Sequence, residues 1–198
     1  MHNLVLVVLN GRSVIKATLR TLLPTDCASA QAMYEAFEPK GEFQGLPPRD
    51  HETITVWLRA LREAGDAEFV IEVRGQIVGH SMLCLANDRT DAEFAIFLHQ
   101  DYRGLGLGKR LLLGTLNHGC KVLKLDRVWL SVQGSNPRAL SLFEKAGFRP
   151  RRSAEALQWE LEMERRSHCE HCKEGQCILY GQSLPVTITI PRRKPLSA

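Results

Sequence analysis

The stretch of the sequence best suited to chemistry is glycine-rich and spans residues 103–109, which read Arg-Gly-Leu-Gly-Leu-Gly-Lys. An apolar run (94–98) precedes it, and a leucine-rich run (109–125) follows it. A strand that ends in such a turn and opens a helix gathers backbone N–H groups around one point, where the helix dipole favours an anion. Glycines let the backbone approach that anion closely, and Arg103 and Lys109 add positive charge. The stretch therefore predicts a phosphate or pyrophosphate site.

The glycine spacing does not match two common nucleotide-binding motifs. Gly104, Gly106 and Gly108 follow G-x-G-x-G, whereas dinucleotide-binding folds use G-x-G-x-x-G. The P-loop motif requires Ser or Thr after its Gly-Lys pair, and Arg110 stands at that position. The pattern that remains is R-G-x-G-x-G-[KR].

A second segment, residues 136–148, has the features of a capped helix. Asn136 is a favourable N-cap, Pro137 suits the first helical position, and Gly147 suits the C-terminal cap. The two segments together resemble the GNAT acetyltransferase superfamily, which has an R-G-x-G-x-G-[KR] pyrophosphate loop and an N-x-x-A-x-x-L-Y-x-K-x-G-F segment. The resemblance covers roughly residues 17–163.

This resemblance implies an α/β (α+β) fold with a mixed, twisted, mostly antiparallel sheet flanked by helices. It implies acetyl-CoA as cosubstrate and an amine acceptor, either a small metabolite or a protein lysine or N-terminus. In the family, the strand before the loop contacts the acetyl and pantetheine groups, and the asparagine bonds the pantetheine or phosphate region. The positions implied to bind the coenzyme are Ile96, Phe97, Leu98, Arg103, Gly104, Leu105, Gly106, Leu107, Gly108, Lys109, Asn136 and Phe143.

The catalytic acid and base of well-known family members have no direct counterpart here. Phe143 occupies the position of a frequent tyrosine acid, and Ser131 occupies that of a glutamate found in some peptide-N-terminal acetylating members. Glu93, in the strand before the loop, is the first candidate for the base. Ser131, His80 and His99 are weaker candidates.

The C-terminal region carries five potential soft-metal ligands in ten residues: His168, Cys169, His171, Cys172 and Cys177. A Cys-x₂-Cys pair with a third cysteine and a histidine is able to form a tetrahedral zinc site. A second Cys-x₂-Cys pair is absent from the sequence, so an unmetallated tail is the alternative.

Composition limits the remaining classes of function. The net charge of +4 is too small to predict a nucleic-acid partner, and 44% hydrophobic residues suffice for an ordinary core. We expect no membrane association, because no apolar run approaches the roughly eighteen residues that a membrane-spanning helix needs. The apolar run 4–9 is not expected to be a signal peptide, because it has no basic segment before it and no cleavage site after it. These features predict a cytoplasmic protein. A homodimer is an expectation taken from the family.

The elements that must position the site follow from periodicity. We predict an N-terminal hairpin (1–16), an acetyltransferase domain (17–163) and a Cys/His-rich extension (164–198), in which 186–190 forms a strand that pairs with the hairpin. Asp26 is predicted to cap the first helix, and the Pro/Gly-rich link after it is assigned to the acceptor pocket through Phe43, Gln44 and Leu46. A second helix (51–63) and a central helix (109–125) follow, and Gly79 predicts a bulge or a close backbone approach.

Two other functions stay open at this point. An acyl-CoA-binding regulatory module keeps the fold without chemistry, and Phe143 and Ser131 favour it. A metal-dependent interaction protein uses the cysteine-rich tail to recruit a partner.

Overall fold

The computed structural model describes residues 4–10, 13–40, 47–64, 67–151, 158–164 and 187–188. The helices are α1 (Cys27–Glu35), α2 (His51–Ala64), α3 (Leu107–His118) and α4 (Pro137–Ala146). The strands are β1 (Leu4–Asn10), β2 (Ser13–Thr21), β3 (Ala67–Val73), β4 (Gln76–Leu85), β5 (Asp91–Leu98), β6 (Arg127–Gln133), β7 (Arg149–Pro150), β8 (Gln158–Glu164) and β9 (Thr187–Ile188). None of the helices in these ranges is long and apolar enough to cross a membrane.

The strands of the described ranges form one nine-stranded sheet in the order β7-β8-β6-β5-β4-β3-β2-β1-β9. Neighbouring strands are antiparallel except at two places, between β5 and β6 and between β1 and β9. The predicted fold class, a mixed and mostly antiparallel sheet flanked by helices, is confirmed.

The N-terminal hairpin is continuous with the rest of the sheet. β1 pairs antiparallel with β2, from Leu4 opposite Leu19 to Asn10 opposite Ser13. β2 runs without interruption because no glycine or proline breaks it, so the boundary predicted between residues 16 and 17 lies inside a strand. β9 pairs with β1, with Thr187 opposite Val7, which confirms the predicted pairing of the C-terminal strand with the hairpin.

Helices pack on both faces of the central part of the sheet. A large apolar cluster joins one face to α3 and α4, and a smaller cluster joins the other face to α1 and α2. In α3, Leu107, Leu111 and Leu112 are fully buried, and each such side chain contributes about 1.5–3 kcal/mol of hydrophobic stabilisation. Packing against helices on both faces therefore stabilises the sheet, including the strands β5 and β6 that form the site described below.

Two glycines show how closely the elements approach. The strand register shifts by one residue beside Gly79, and a Cβ at this position would lie 3.0 Å from a Leu98 methyl, so both features predicted for Gly79 are present. The α-helical part of α3 is shorter than predicted, because a π-helical turn begins at Gly119, where a Cβ would lie 3.1 Å from Leu83.

Candidate active site

The parallel strands β5 and β6 are paired at one end and separate at the other. Their registered pairs are Asp91–Arg127, Ala92–Val128 and Glu93–Trp129. Beyond the last pair, β5 stays registered with β4 as far as Leu98, and β6 stays registered with β8 as far as Gln133. Each strand therefore presents one unpaired edge to a V-shaped opening. A salt bridge joins Asp91 to Arg127 at the closed end, with 3.0 Å between Nε and Oδ2.

The opening leads into a cleft with a volume of about 1180 Å³. Both strands, the glycine-rich loop, α4 and the segment after α1 line it. Small-molecule sites usually measure about 300–1,000 Å³, so the cleft has room for a large ligand together with a second, smaller one.

The loop presents its glycines to the cleft and its leucines to the core. Gly104 and Gly106 have positive φ angles of 78° and 75°, which residues with a Cβ rarely adopt, and Gly106 is the N-cap of α3. Gly104, Gly106 and Gly108 line the cleft, whereas the side chains of Leu105 and Leu107 are buried. Of the predicted coenzyme positions, these two leucines therefore have only their backbone groups to offer a ligand.

Positive charge gathers at this end of the cleft. Lys109 and Arg138 line it beside Arg103. Burial and, to a lesser extent, the positive charge of Arg138 lower the pKa of Arg103. Two guanidinium groups held close enough to interact, next to the N-terminus of α3, make a site for a polyanion such as a pyrophosphate.

Arg103 also has structural partners. Its Nε donates to the Leu98 carbonyl at 2.9 Å, its Nη2 donates to the Glu38 carbonyl, and its guanidinium carbon lies 5.0 Å from the centre of the Phe37 ring. The side chain thus ties the loop to the segment after α1 while it lines the cleft.

The second motif also lies at the cleft. Asn136 Oδ1 accepts a hydrogen bond from the Ala139 N–H at 3.2 Å, so this side chain caps α4 as the sequence indicates. Phe143 lines the cleft, but its ring is mostly in the core, edge-on to Phe94 and Phe148. The predicted strand positions Ile96, Phe97 and Leu98 line the cleft as well.

Beside the split between β5 and β6, one face of the sheet carries acidic and aromatic groups. Glu93 is opposite Trp129, and Ser131 is opposite Glu160, so these four side chains point to the same face and line the cleft. Partial removal from water raises the pKa of Glu93. The cleft is therefore basic at the loop and acidic at the sheet.

The two histidines considered as weaker base candidates do not line the cleft. His80 is buried between Tyr34 and Glu68, with 2.7 Å from Nδ1 to the phenol oxygen and 3.0 Å from Nε2 to the carboxylate. His99 Nδ1 accepts a hydrogen bond from the Asp101 N–H in the turn before the loop.

Several predicted site residues lie outside the described residues. These are the five potential metal ligands of the tail, His168, Cys169, His171, Cys172 and Cys177, and the acceptor-pocket residues Phe43, Gln44 and Leu46. Within the described ranges, no group of three or more His, Cys, Asp or Glu side chains is arranged to hold a metal ion.

Trp129, Arg138 and Glu160 are among the cleft residues that sequence reasoning missed. The signal that could have identified Arg138 is its positive charge in the first turn of the helix of the second motif. Trp129 and Glu160 alternate with core residues in their strands, but only the pairing of β5, β6 and β8 shows that they share a face with Glu93.

Comparison with known proteins identifies the family of the chain. The model of the acetyltransferase (GNAT) family matches residues 30–148. The spermidine N(1)-acetyltransferase of Escherichia coli (strain K12) is 30% identical over 89 residues, which are 44% of this chain and 48% of that protein. The N-alpha-acetyltransferase of Sulfurisphaera tokodaii is 30% identical over 100 residues, 45% of this chain and 60% of that protein. The chain thus spans about half the length of the curated relatives it matches.

A solved structure shows the same fold. The GNAT domain of S. lividans PAT superimposes with a TM-score of 0.68 and 15% identity over 82% of this chain and 97% of that chain. At this identity, the similarity supports the fold alone.

Proposed function

The chain belongs to the GNAT acetyltransferase family, and on that premise we propose that it transfers an acetyl group from acetyl-CoA to a primary amine. The observation that carries the proposal is the separation of β5 from β6 beyond the Glu93–Trp129 pair, next to the glycine-rich loop. The pantetheine arm of acetyl-CoA, which ends in the thioester, fits in an extended form between two unpaired strand edges. The backbone groups of these edges are able to hydrogen-bond to the amides of the arm as a neighbouring strand would.

The basic end of the cleft suits the coenzyme. The pyrophosphate is assigned to the N-terminus of α3, with the backbone of Gly104 to Gly108 around it and Lys109 and Arg138 beside it. Asn136 is assigned to the pantetheine or phosphate region. Its Oδ1 caps α4, which leaves the amide NH₂ as the group for this contact.

The reaction we propose is direct attack of the amine on the thioester carbon in a ternary complex. An alkylammonium with a pKa of about 10.4 must lose a proton before it attacks, and a positioned base accelerates such a step by about 10²–10⁴. Glu93 is the proposed base because it lines the cleft beside the split, and its raised pKa brings it closer to the operating pH. Ser131 is a weaker alternative on the same face.

The carbonyl oxygen gains negative charge as the amine adds, and a backbone N–H on the open edge of β5 is the proposed donor to it. The tetrahedral adduct then collapses, the C–S bond breaks, and coenzyme A leaves as a thiolate. Phe143 has no proton to donate at the position where other family members have a tyrosine. We therefore propose that water or solvent protonates the thiolate.

For the acceptor, we propose a small amine that carries at least one further positive charge. Glu93 and Glu160 form no ion pair with another described side chain, and Trp129, on the strand between theirs, supplies an aromatic ring of a type that binds cations. The names of several relatives specify spermidine or spermine as substrate, which supports this class. A protein N-terminus is the alternative, because another relative is an N-alpha-acetyltransferase.

A thiol-release assay over a panel of amines tests the proposal. The panel contains spermidine, spermine, a monoamine of similar length, a lysine-containing peptide and a free peptide N-terminus, and mass spectrometry identifies the acetylated product. We expect release with the polyamines. Binding of acetyl-CoA without release for any acceptor would instead favour the regulatory module.

The remaining parts of the proposal rest on the sequence. We propose that residues 17–163 form the catalytic domain between a hairpin (1–16) and a tail (164–198), in a cytoplasmic homodimer. Light scattering tests the dimer. Zinc at the tail cysteines is likewise a proposal, and elemental analysis of the purified chain tests it.

A further inference from the structure

One glutamine joins the coenzyme loop to the segment that follows α1. Gln100 lies in the short 3-10 turn (Gln100–Tyr102) that enters the loop. Its Nε2 donates to the Ala36 carbonyl at 2.8 Å, and its Oε1 accepts from the Glu38 N–H at 2.9 Å. The side chain thus holds the segment on both sides of Phe37, and we call residues 36–39 the wall segment.

The wall segment forms part of the cleft. Phe37 and Pro39 line it. The Phe37 ring lies edge-on to Phe97, 6.1 Å between centres, and Phe97 shares its sheet face with Glu93. The segment therefore adjoins the face to which the acceptor is assigned.

The helix α1 holds only the start of the wall segment, where the Ala36 and Phe37 N–H groups donate to the Ala32 and Tyr34 carbonyls at 3.1 and 3.3 Å. α1 ends at Glu35, and the residues after it belong to no regular element. The Ala36 carbonyl and both backbone groups of Glu38 find their partners outside α1, because Gln100 and Arg103 of the coenzyme loop bond to them. The loop at the basic end of the cleft thus fixes the position of a wall that packs on the same sheet face as Glu93.

From these contacts we propose that Gln100 is a positioning residue for the acceptor. It clamps the wall segment so that Phe37 and Pro39 complete the acceptor side of the cleft, and it does not contact the coenzyme. The proposal rests on the proposed function, since it names a residue that determines amine binding in the same site. It predicts that loss of the clamp weakens amine binding and leaves acetyl-CoA binding unchanged.

Gln100→Ala tests the clamp, with Gln31→Ala as matched control. Gln31 also ties down α1, through Glu35 at 3.0 Å and Thr55 at 3.2 Å, but it does not touch the wall segment. Three measurements are needed. Hydrogen–deuterium exchange of the Glu38 amide reports the clamp directly and requires no substrate. Steady-state kinetics separates the KM for spermidine from kcat, and calorimetry gives the Kd for acetyl-CoA.

For Gln100→Ala, we expect the Glu38 amide to exchange about ten-fold faster and the KM for spermidine to rise about ten-fold, since two hydrogen bonds are lost. We expect kcat and the acetyl-CoA Kd to stay within about two-fold, and Gln31→Ala to match the wild type in all four quantities. Gln100→Glu keeps the acceptor for the Glu38 N–H but loses the donor to Ala36, so it should raise KM while the amide stays protected. This variant serves if Gln100→Ala does not fold.

Unchanged exchange of the Glu38 amide in Gln100→Ala would overturn the clamp. A spermidine KM that stays at the wild-type value, or that rises only together with the acetyl-CoA Kd, would overturn its role in acceptor binding. These results are distinct from failure of the proposed function, in which the wild-type protein itself releases no thiol with any amine. In that case the exchange experiment still decides whether the clamp exists.

Discussion

Glu93 faces Trp129 in the last registered pair between the parallel strands β5 and β6. On one side of this pair, the Asp91–Arg127 salt bridge holds the strands together, and on the other side they diverge into the cleft. The pair therefore places a carboxylate and an indole where the sheet opens. Different groups line the different parts of the opening. Substitutions in these parts should therefore affect acetyl-CoA binding, amine binding and the removal of the amine proton separately.

Glu93→Gln should lower kcat/KM for the amine by about 10²–10³, because the base is lost. The wild-type rate should fall as the pH decreases through the raised pKa of Glu93, since only the carboxylate accepts the proton, and the variant should lack this acidic limb. Its thermal stability should not fall, because partial desolvation disfavours the ionised form of this side chain in the folded protein. A pH–rate profile and a melting curve measure both effects.

Glu162→Gln is the matched control for the base. Glu162 is the β8 residue that pairs with Trp129 of β6. Its carboxylate lies 3.8 Å from the guanidinium nitrogens of Arg127 and Arg151, and the side chain does not line the cleft. An acidic limb that survives in Glu93→Gln, or that disappears equally in Glu162→Gln, would show that Glu93 is not the base.

Gly106→Ala should weaken acetyl-CoA binding by at least about ten-fold, because a Cβ at a φ of 75° costs about 1–2 kcal/mol and distorts the backbone that faces the phosphates. Gly75→Ala is the control. Gly75 has a φ of 78° in the β3–β4 turn, a Cβ at this position would have no atom within 4 Å, and the turn lies away from the cleft. Both variants should lose similar stability in urea unfolding. If both or neither lost acetyl-CoA affinity, the loop assignment would be wrong.

Arg138→Ala should weaken acetyl-CoA binding about ten-fold at low salt, and the difference should shrink as the salt concentration rises, because the contact to the phosphates is electrostatic. Arg149→Ala removes a charge just after α4, where the side chain donates to the Phe148 carbonyl, and should have little effect. Calorimetric titration at two salt concentrations gives the values. Equal losses for the two variants would indicate a general charge effect and no specific contact.

Glu160→Gln should raise the KM for spermidine about five- to ten-fold and change the KM for a monoamine much less, because Glu160 is assigned to a second positive charge of the acceptor. Glu164→Gln is the control on the same strand and face, opposite Arg127 at the closed end of the split. Initial-rate kinetics with both amines gives the comparison. A KM that rises equally for both substrates would contradict the assignment.

Part of this site follows from the sequence and part does not. The spacing of Gly104, Gly106 and Gly108 and the caps of the helix at Asn136 are local features, so the loop and α4 were predicted from short segments. The convergence of Glu93, Trp129 and Glu160 depends on which strands are neighbours, and β8 lies between β6 and β7 only because the chain returns from beyond α4. Such pairings are not encoded in any short segment.

The position of the wall segment likewise could not be predicted from the sequence. Gln100 and Glu38 are 62 positions apart, and their hydrogen bond depends on how α1 is placed against the loop. The end of the α-helical part of α3 also coincides with a tertiary contact, since the π-helical turn begins at Gly119, whose backbone packs closely against Leu83 and Leu125.

Titration of the protein with acetyl-CoA by calorimetry tests the central assignment, the coenzyme cleft between β5 and β6, most directly. We predict one site per chain, with affinity that is weakened by at least about ten-fold in Gly106→Ala, reduced in Arg138→Ala and preserved in Gly75→Ala. Absence of binding by the wild-type protein, or binding that these cleft substitutions leave unchanged, would contradict the assignment.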